Sequence, residues 1–416
     1  MQKTFPLGNR GRDSYHGILV NRPADVTRFR WLVLSIFVLS TAINYLDRQT
    51  LATLAPLLRS EFRLSRTDYG LIVTAFSVTY LVSAPFTGML IDRIGINRAM
   101  GLAVAVWSST GIATGLTRGI GGLVACRTVL GAAEAAGIPG AGKAIHQYLK
   151  PAERALGNAI NQGGVSLGMM LAPPVATFLA VRFGWRQAFV VAGILGFAWI
   201  PLWSWVSGWA RAEAPPPTAG AGLVILRDRA LWAFVAANGL AMVPYSLWTN
   251  WTTLYLVDVH RLSLTEAAWY AWIPPVFAVA GGVAGGWLSL RLVARGLAPA
   301  KARVRVCLTA SVLALATAAV SRAPTPLWAS AGISLSIFAV SAFSVNMYSL
   351  PLDVFGGGHA AFAVSVLVAS YGAVQAIVSP VFGRVIDVYG YAPVAAAAAL
   401  TPLAASCVLW RTRSAR

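Results

Sequence analysis

Four charged residues interrupt runs that are otherwise long and apolar: Asp47 and Arg48 in the first run, Arg127 and Glu134 in the fourth. An Asp or Arg at the centre of a membrane span costs roughly 2.5–3.5 kcal/mol on insertion scales, so such side chains face a protein interior or an aqueous cavity. Two guanidinium groups and two carboxyls offer a restricted chemistry. A guanidinium can grip a carboxylate through two parallel hydrogen bonds, and a buried carboxyl can take up a proton because burial disfavours its charged form. Salt bridges that merely orient the helices are the plainer reading. Desolvating both partners consumes most of the Coulomb gain of a buried pair, however, so four retained charges are better explained by binding or by charge movement.

Helical phase separates the four. Thr41, Asn44 and Arg48 fall on one stripe at three- and four-residue steps, and Asp47 points about 100° away. Arg127 and Glu134 lie about two turns and roughly 10 Å apart on nearly the same face, too far to satisfy one another directly. Gly131 and Gly137, with nearby Ala residues, allow that helix to pack closely and carry its charges inward. Lys143 falls near the opposite face at the end of the span, where it is expected to snorkel.

The elements that must position these residues are helices. The 416-residue chain is 57% hydrophobic and only 11% charged, against about a quarter charged in soluble domains. Twelve apolar runs, near 31–57, 69–91, 99–117, 120–146, 155–181, 187–208, 230–257, 267–290, 303–321, 327–350, 361–386 and 391–410, are long enough to cross a hydrocarbon core of about 30 Å. They lack the alternation of transmembrane strands. The fold class expected is an all-α membrane protein of twelve transmembrane helices in two six-helix bundles.

A net charge of +19 invites a nucleic-acid partner, but the distribution of the basic residues points to the bilayer. With both termini in the cytoplasm, 22 of the 33 Lys and Arg fall on the inside and nine on the opposite side, the positive-inside asymmetry. No cleavable signal peptide is expected, because the first apolar run is too long for one. Cys126, Cys307 and Cys407 stand singly and are read as packing residues; His16, His146, His260 and His359 are read as tail or interfacial residues. No metal and no cofactor is expected.

The expected organisation is a cytoplasmic tail (1–30), a first bundle (31–208), a central cytoplasmic linker (209–229) rich in Pro and charge, a second bundle (230–410) and a C-terminal tail (411–416). Six spans on each side of a linker suggest bundles that rock about a midplane site. The chain carries no G-x-x-x-x-G-K-[ST] sequence, so transport would draw on an ion or substrate gradient. After the second span, Gly88-Met-Leu90-Ile-Asp92-Arg93-Ile-Gly95-Ile-Asn97-Arg98 offers close helix approach at Gly88 and a charge latch built from Asp92, Arg93 and Arg98. The alternative is a tight turn with solvated charges.

That stretch resembles the G-x-L-x-D-R-x-G-R-[RK] signature of the major facilitator superfamily. The corresponding place in the second half carries Leu290 where relatives often have Asp. Asn44-Tyr45-Leu46-Asp47-Arg48-Gln49, Arg127 through Glu134 and Gly137-Ile-Pro139 resemble the anion:cation symporter branch, especially the hexuronate and sugar-acid transporters; further matches are Asp68-Tyr69-Gly70-Leu71, Gly184-Trp185-Arg186-Gln187-Ala188-Phe189 and Asn346 with Leu350-Pro351-Leu-Asp353.

The resemblance implies that Arg48 and Arg127 contact a substrate carboxylate, that Asp47 and Glu134 carry coupling protons, and that Tyr45 and Tyr80 place hydroxyls near the substrate. Asn44 and Gln162 join this expected binding set. In the second half Trp248, Asn250, Asn346, Tyr371 and Gln375 could hydrogen-bond a polyhydroxylated chain or serve as packing residues. Relatives often carry a basic residue where Leu254 stands. The expected function is proton-coupled uptake of a small organic anion, such as a hexuronate or aldonate, with a proton in preference to sodium, by a monomer in the inner membrane. Export of a drug or cationic metabolite, and a transport-inactive sensor of an organic acid, are the alternatives; no nucleophile-and-base set suggests an enzyme.

Overall fold

A computed structural model of the chain describes residues 24–150, 153–209, 223–355 and 357–414. Most of the expected N-terminal tail and central linker, residues 1–23 and 210–222, lies outside the described residues, as do His16 and the side chain of His359. Each of the twelve expected spans falls on helix. The first half contains α1 (Ala24–Phe62), α2 (Arg66–Ile94), α3 (Ile96–Gly115), a fourth span broken into α4 (Ile120–Glu134) and α5 (Gly137–Tyr148), then α6 (Arg154–Phe183) and α7 (Trp185–Trp209). The second half contains three broken spans, α8 (Arg229–Ala241) with α9 (Val243–His260), α10 (Leu264–Ala271) with α11 (Ile273–Ala294), and α12 (Pro299–Ala314) with α13 (Ala316–Val320). Single helices α14 (Pro326–Phe355), α15 (Gly357–Tyr389) and α16 (Tyr391–Ser414) complete it.

Eleven of these spans are long and apolar enough to cross a membrane. The remaining one, α3, is 20 residues long, about 30 Å; Asn97, Arg98 and its Ser and Thr residues lower its hydropathy. Helix runs past the expected boundaries of the two tails: α1 begins at Ala24 and α16 continues to Ser414, while the apolar spans themselves cover Phe29–Phe62 and Tyr391–Arg411.

Sequence chemistry accounts for the breaks and turns. Pro244 and Pro274 stand in the first turns of α9 and α11, where a missing N–H costs least. Gly95, Gly184 and Gly390 turn the chain between consecutive helices with φ of +83°, +88° and +75°, a region glycine enters without a Cβ clash. Two turns repeat between the halves: Arg63-Leu64-Ser65-Arg66-Thr67-Asp68 after α1 and Arg261-Leu262-Ser263-Leu264-Thr265-Glu266 after α9. In both, the arginine is left-handed (φ 52° and 58°) and the serine closes a reciprocal capping box with the acid three residues on.

Each bundle has its own core, around Phe37, Trp107, Trp199 and Trp203 in the first half and around Phe234, Phe343, Met347 and Leu367 in the second. A third core joins the halves at one end. There Leu54 and Leu58 of α1 and Tyr69 of α2 pack with Trp251 and Tyr255 of α9 and Phe382 of α15. Tyr69 meets Trp251 edge-on at 5.0 Å and donates to the Asn250 carbonyl at 2.8 Å.

Charges from both halves interlock beyond this apolar plug. Arg66 binds Asp258 through Nε at 3.0 Å and Nη2 at 2.8 Å, while Arg59 and the Tyr391 hydroxyl reach the same carboxylate at 3.5 and 3.1 Å. Asp387, from α15, accepts the backbone N–H groups of Arg66 and Thr67 at 3.0 and 2.9 Å. A carboxylate of the second half thus caps a helix of the first. The Ser65–Asp68 box is intrinsic to α2, so this helix end also carries a cap that does not depend on the second half.

Arg66→Ala removes the residue that holds both carboxylates. In a chain whose three cysteines have been replaced, a single reporter at Thr253→Cys, buried beneath this end, is expected to label with a soluble thiol reagent at least about fivefold faster in the Arg66→Ala background. Unchanged labelling would mean that the apolar plug alone keeps this end shut.

Candidate functional site

The site begins where α4 stops. Gly131, one turn before Glu134, lets α4 press against α2: a Cβ there would collide with the Phe76 carbonyl oxygen and the Thr79 hydroxyl. The helix is interrupted at Ala135–Ala136 and restarts as α5, with Pro139 in its first turn. Glu134 therefore sits, 1% exposed, at an interrupted helix end in the middle of the fold.

Glu134 faces Arg48. One carboxylate oxygen, Oε2, accepts both the Arg48 Nε–H at 3.0 Å and Nη2–H at 2.8 Å, while Oε1 has no partner. The rings of Tyr45, Phe76 and Tyr80 surround the same guanidinium at 4.7, 4.7 and 5.1 Å from its central carbon, an arrangement favourable to a delocalised cation. Asp47, on the next residue of α1, turns elsewhere. It is 3% exposed and points at α3, where a Cβ on Gly111 would stand 3.6 Å from both carboxyl oxygens.

Arg127 differs from Arg48. It is 2% exposed, its Nε has no partner, and among the described residues it makes neither a hydrogen bond nor an ion pair within 4 Å. The carboxyls of Asp47 and Glu134 act on it through space only. Leaving a buried guanidinium without hydrogen bonds is costly, so Arg127 is the group in this fold most in need of an anion.

Both arginines line a cavity of about 710 Å³ between the halves. Tyr45 and Gln49 of α1, Phe76 of α2 and Gln162 and Met169 of α6 complete the first-half wall, and Tyr245, Thr249 and Asn250 of α9 face Tyr371 and Gln375 of α15 across the second. A smaller space of about 480 Å³ continues from it toward the Asp258 end, bordered by Thr53, Trp248 and Thr252 and sharing Gln49 and Thr249.

The expected site residues thus divide. Tyr45, Arg48, Arg127, Gln162, Tyr371 and Gln375 share the cavity lining, and Tyr80 reaches it only through its ring over Arg48. Asn44 is buried with an unpartnered Nδ2, Thr41 bonds Asn161 of α6 at 2.9 Å, and Trp248 lies in the smaller space. Asn346 stands apart from the cavity: its Nδ2 donates to the carbonyls of Gly285 and Ala342 at 3.1 and 2.9 Å, tying α14 to α11.

At the opposite end Asp92 pairs with Lys143 at 2.6 Å, so Lys143 is an ion-pair partner where snorkelling was expected. Gly88 of α2 faces Pro139 of α5 at this end, with room for a Cβ between them. Arg93 and Arg98 are exposed. In the second half Leu290 is exposed, Arg291 covers the Trp287 ring at 3.8 Å, and Asp353, an acid of this end, pairs with Arg303.

Sequence reasoning passed over Gln49, Tyr245 and Thr249. Gln49 ends the polar run that contains Asp47, and Tyr245 follows the proline at the break of the seventh span. Those were the available signals.

Residues 37–367 match the family described as Major Facilitator Superfamily. The chain is 29% identical over 409 residues to the hexuronate transporter of Escherichia coli (strain K12), spanning 92% of this chain and 93% of that protein. It is 27% identical over 281 residues to the galacturonate transporter of Dickeya chrysanthemi, spanning 63% and 81%. Among solved structures, a bacterial homolog of the human lysosomal transporter Spinster aligns over 93% of this chain and 97% of its own with a TM-score of 0.76 at 20% identity, a likeness of fold.

The pairing of Arg48 with Glu134 can be measured directly. Arg48→Met and Glu134→Leu are each expected to cost on the order of 3 kcal/mol by stranding a buried charge, and the double variant to regain at least about half of the summed loss. Thermal unfolding in detergent reads the cycle. Strictly additive losses would show that the two side chains are energetically independent.

Proposed function

We propose that this chain, which belongs to the Major Facilitator Superfamily, carries a small organic anion, a hexuronate, aldonate or related carboxylate, into the cell with protons. The observation that carries the proposal is the contrast between its two cavity arginines: Arg48 is held by Glu134, whereas Arg127, more deeply buried, has no anionic partner in contact. A ligand carboxylate supplies what Arg127 lacks. The names of the relatives, transporters of hexuronate and galacturonate, agree with that chemistry. A cationic cargo fits poorly, because the charged side chains on the cavity lining are both arginines.

The proposed coupling follows from competition. Ionised Glu134 occupies Arg48; a proton on Glu134 discharges that carboxylate and frees the guanidinium, so Arg48 and Arg127 together can grip the incoming acid. Asp47, whose carboxyl turns toward α3 and acts on Arg127 through space, is the second proton carrier. Loss of the protons returns Glu134 to Arg48 and expels the ligand. Binding then differs between protonation states, which coupling requires.

The positive-inside bias assigns the Asp92 end to the cytoplasm and the Asp258 end to the outside. With both termini inside, the Arg59, Arg66, Asp258 and Asp387 network is the outer closure, and rocking of the two bundles passes the ligand from one side to the other. A bacterial inner membrane is the proposed location.

Uptake of galacturonate, glucuronate and galactonate by proteoliposomes containing the purified chain, under an imposed pH gradient, tests the proposal. Arg127→Ala is expected to weaken acid binding at least about thirtyfold. Glu134→Gln is expected to retain exchange of labelled for unlabelled acid but to lose accumulation driven by the gradient. Wild-type accumulation by Glu134→Gln would remove Glu134 from the coupling, and flux indifferent to the gradient in the native chain would remove the proton altogether.

A further inference from the structure

The charge on the cavity lining is one-sided. Arg48 and Arg127 stand on α1 and α4; the opposite wall, from α9 and α15, consists of Tyr245, Thr249, Asn250, Tyr371 and Gln375 and carries no Lys, Arg or His among the described lining residues. We propose that the site accepts a ligand with a single carboxylate and an uncharged, hydroxyl-bearing far end, and rejects the diacid of the same carbon chain, with the α9–α15 wall as the discriminating surface. This deepens the organic-anion reading above and rests on it.

Hydrogen-bond chemistry on that wall supports the assignment. A ligand hydroxyl both donates and accepts, whereas a carboxylate only accepts. Asn250 gives one Nδ2–H to the Ser246 carbonyl at 2.9 Å, leaving the amide oxygen, an acceptor, and one N–H for a ligand. Thr249 Oγ1 lies beside the Tyr245 side chain and, as a hydroxyl, can serve in either sense. The Gln375 side chain makes no hydrogen bond within the described residues and offers one donor group and one acceptor. Such a wall satisfies a hydroxyl in every orientation, but it meets a carboxylate with at least one acceptor and no counter-charge. A charge desolvated in that position is heavily penalised.

The placement of charge points the same way. The cations Arg48 and Arg127 are matched in number by Asp47 and Glu134, and all four stand on the first half. Both proposed proton carriers therefore neutralise charge in the first half, whereas a second ligand carboxylate lies across the cavity from them, against a wall with no cation and no carboxyl among the described lining residues.

Galactonate and galactarate differ only at the far carbon, CH2OH in one and carboxylate in the other, and gluconate and glucarate form a second such pair. Binding of these four acids and of galacturonate to the purified full-length chain at pH 7, read by thermal stabilisation, is expected to place each diacid at least about thirtyfold weaker than its aldonate. Gln375→Lys, or Thr249→Lys should the first variant not fold, is expected to narrow the ratio to about threefold or less by strengthening diacid binding. Equal binding of aldonate and diacid by the native chain overturns this inference and leaves the anion reading standing. Folded lysine variants that still exclude the diacid overturn the assignment to this wall. Failure of all five acids to bind overturns the anion reading itself.

Discussion

The constraint on which the centre of this protein depends is the cost of removing a guanidinium from water. Arg48 meets that cost with a carboxylate and three aromatic rings. Arg127 meets it with neither, although two carboxyls act on it from a distance. Four charges that cancel in number are therefore not paired in space. One arginine is answered by a carboxylate and the other has none in contact; under the proposed function, a proton on the first pair and an acid at the second arginine would therefore influence one another. A bundle oriented by simple salt bridges would have closed both pairs.

Much of this was legible in the chain. Apolar runs marked all twelve spans, because a segment that must satisfy its own backbone in lipid has few other forms. The cost of intramembrane charge singled out the four central residues, and helical phase correctly turned Asp47 and Arg48 to different neighbours. The pairing itself was beyond reach. Which carboxylate meets Arg48 depends on how far α4 slides along α2, and that register is set where Gly131 admits the Phe76 carbonyl and the Thr79 hydroxyl. Lys143 was misread for the same reason. A helical wheel orients a side chain about its own axis and says nothing of Asp92, which the packing of α2 beside α5 brings to Lys143.

Residue type was also a weak guide to location in the second half. Asn346 and Gln375 are both amides in apolar helices, yet one ties α14 to the backbone of α11 and the other lines the cavity. The difference lies in close approach: at the α11–α14 crossing, Gly285 presents its bare carbonyl to Asn346. The interruption of a span proved more informative than the polarity of its residues. Glu134 lies at the break of the fourth span and Tyr245 just after that of the seventh, consistent with irregular backbone at membrane depth being tolerated where it borders a cavity or is covered by protein.

The repeated turns after α1 and α9 show one scaffold used twice, with its charges then divided unequally. Both cavity arginines belong to the first half, and so do Arg59 and Arg66 at the closed end; the carboxylates that answer the latter pair, Asp258 and Asp387, belong to the second. Closure at that end is therefore made by second-half acids covering first-half cations. Under the proposed rocking of the halves, parting at that end would take those partners from Arg59 and Arg66 and leave a positive rim on the same wall that holds Arg48 and Arg127. An approaching anion would meet that rim first and be drawn toward the first half, leaving its uncharged end to the second.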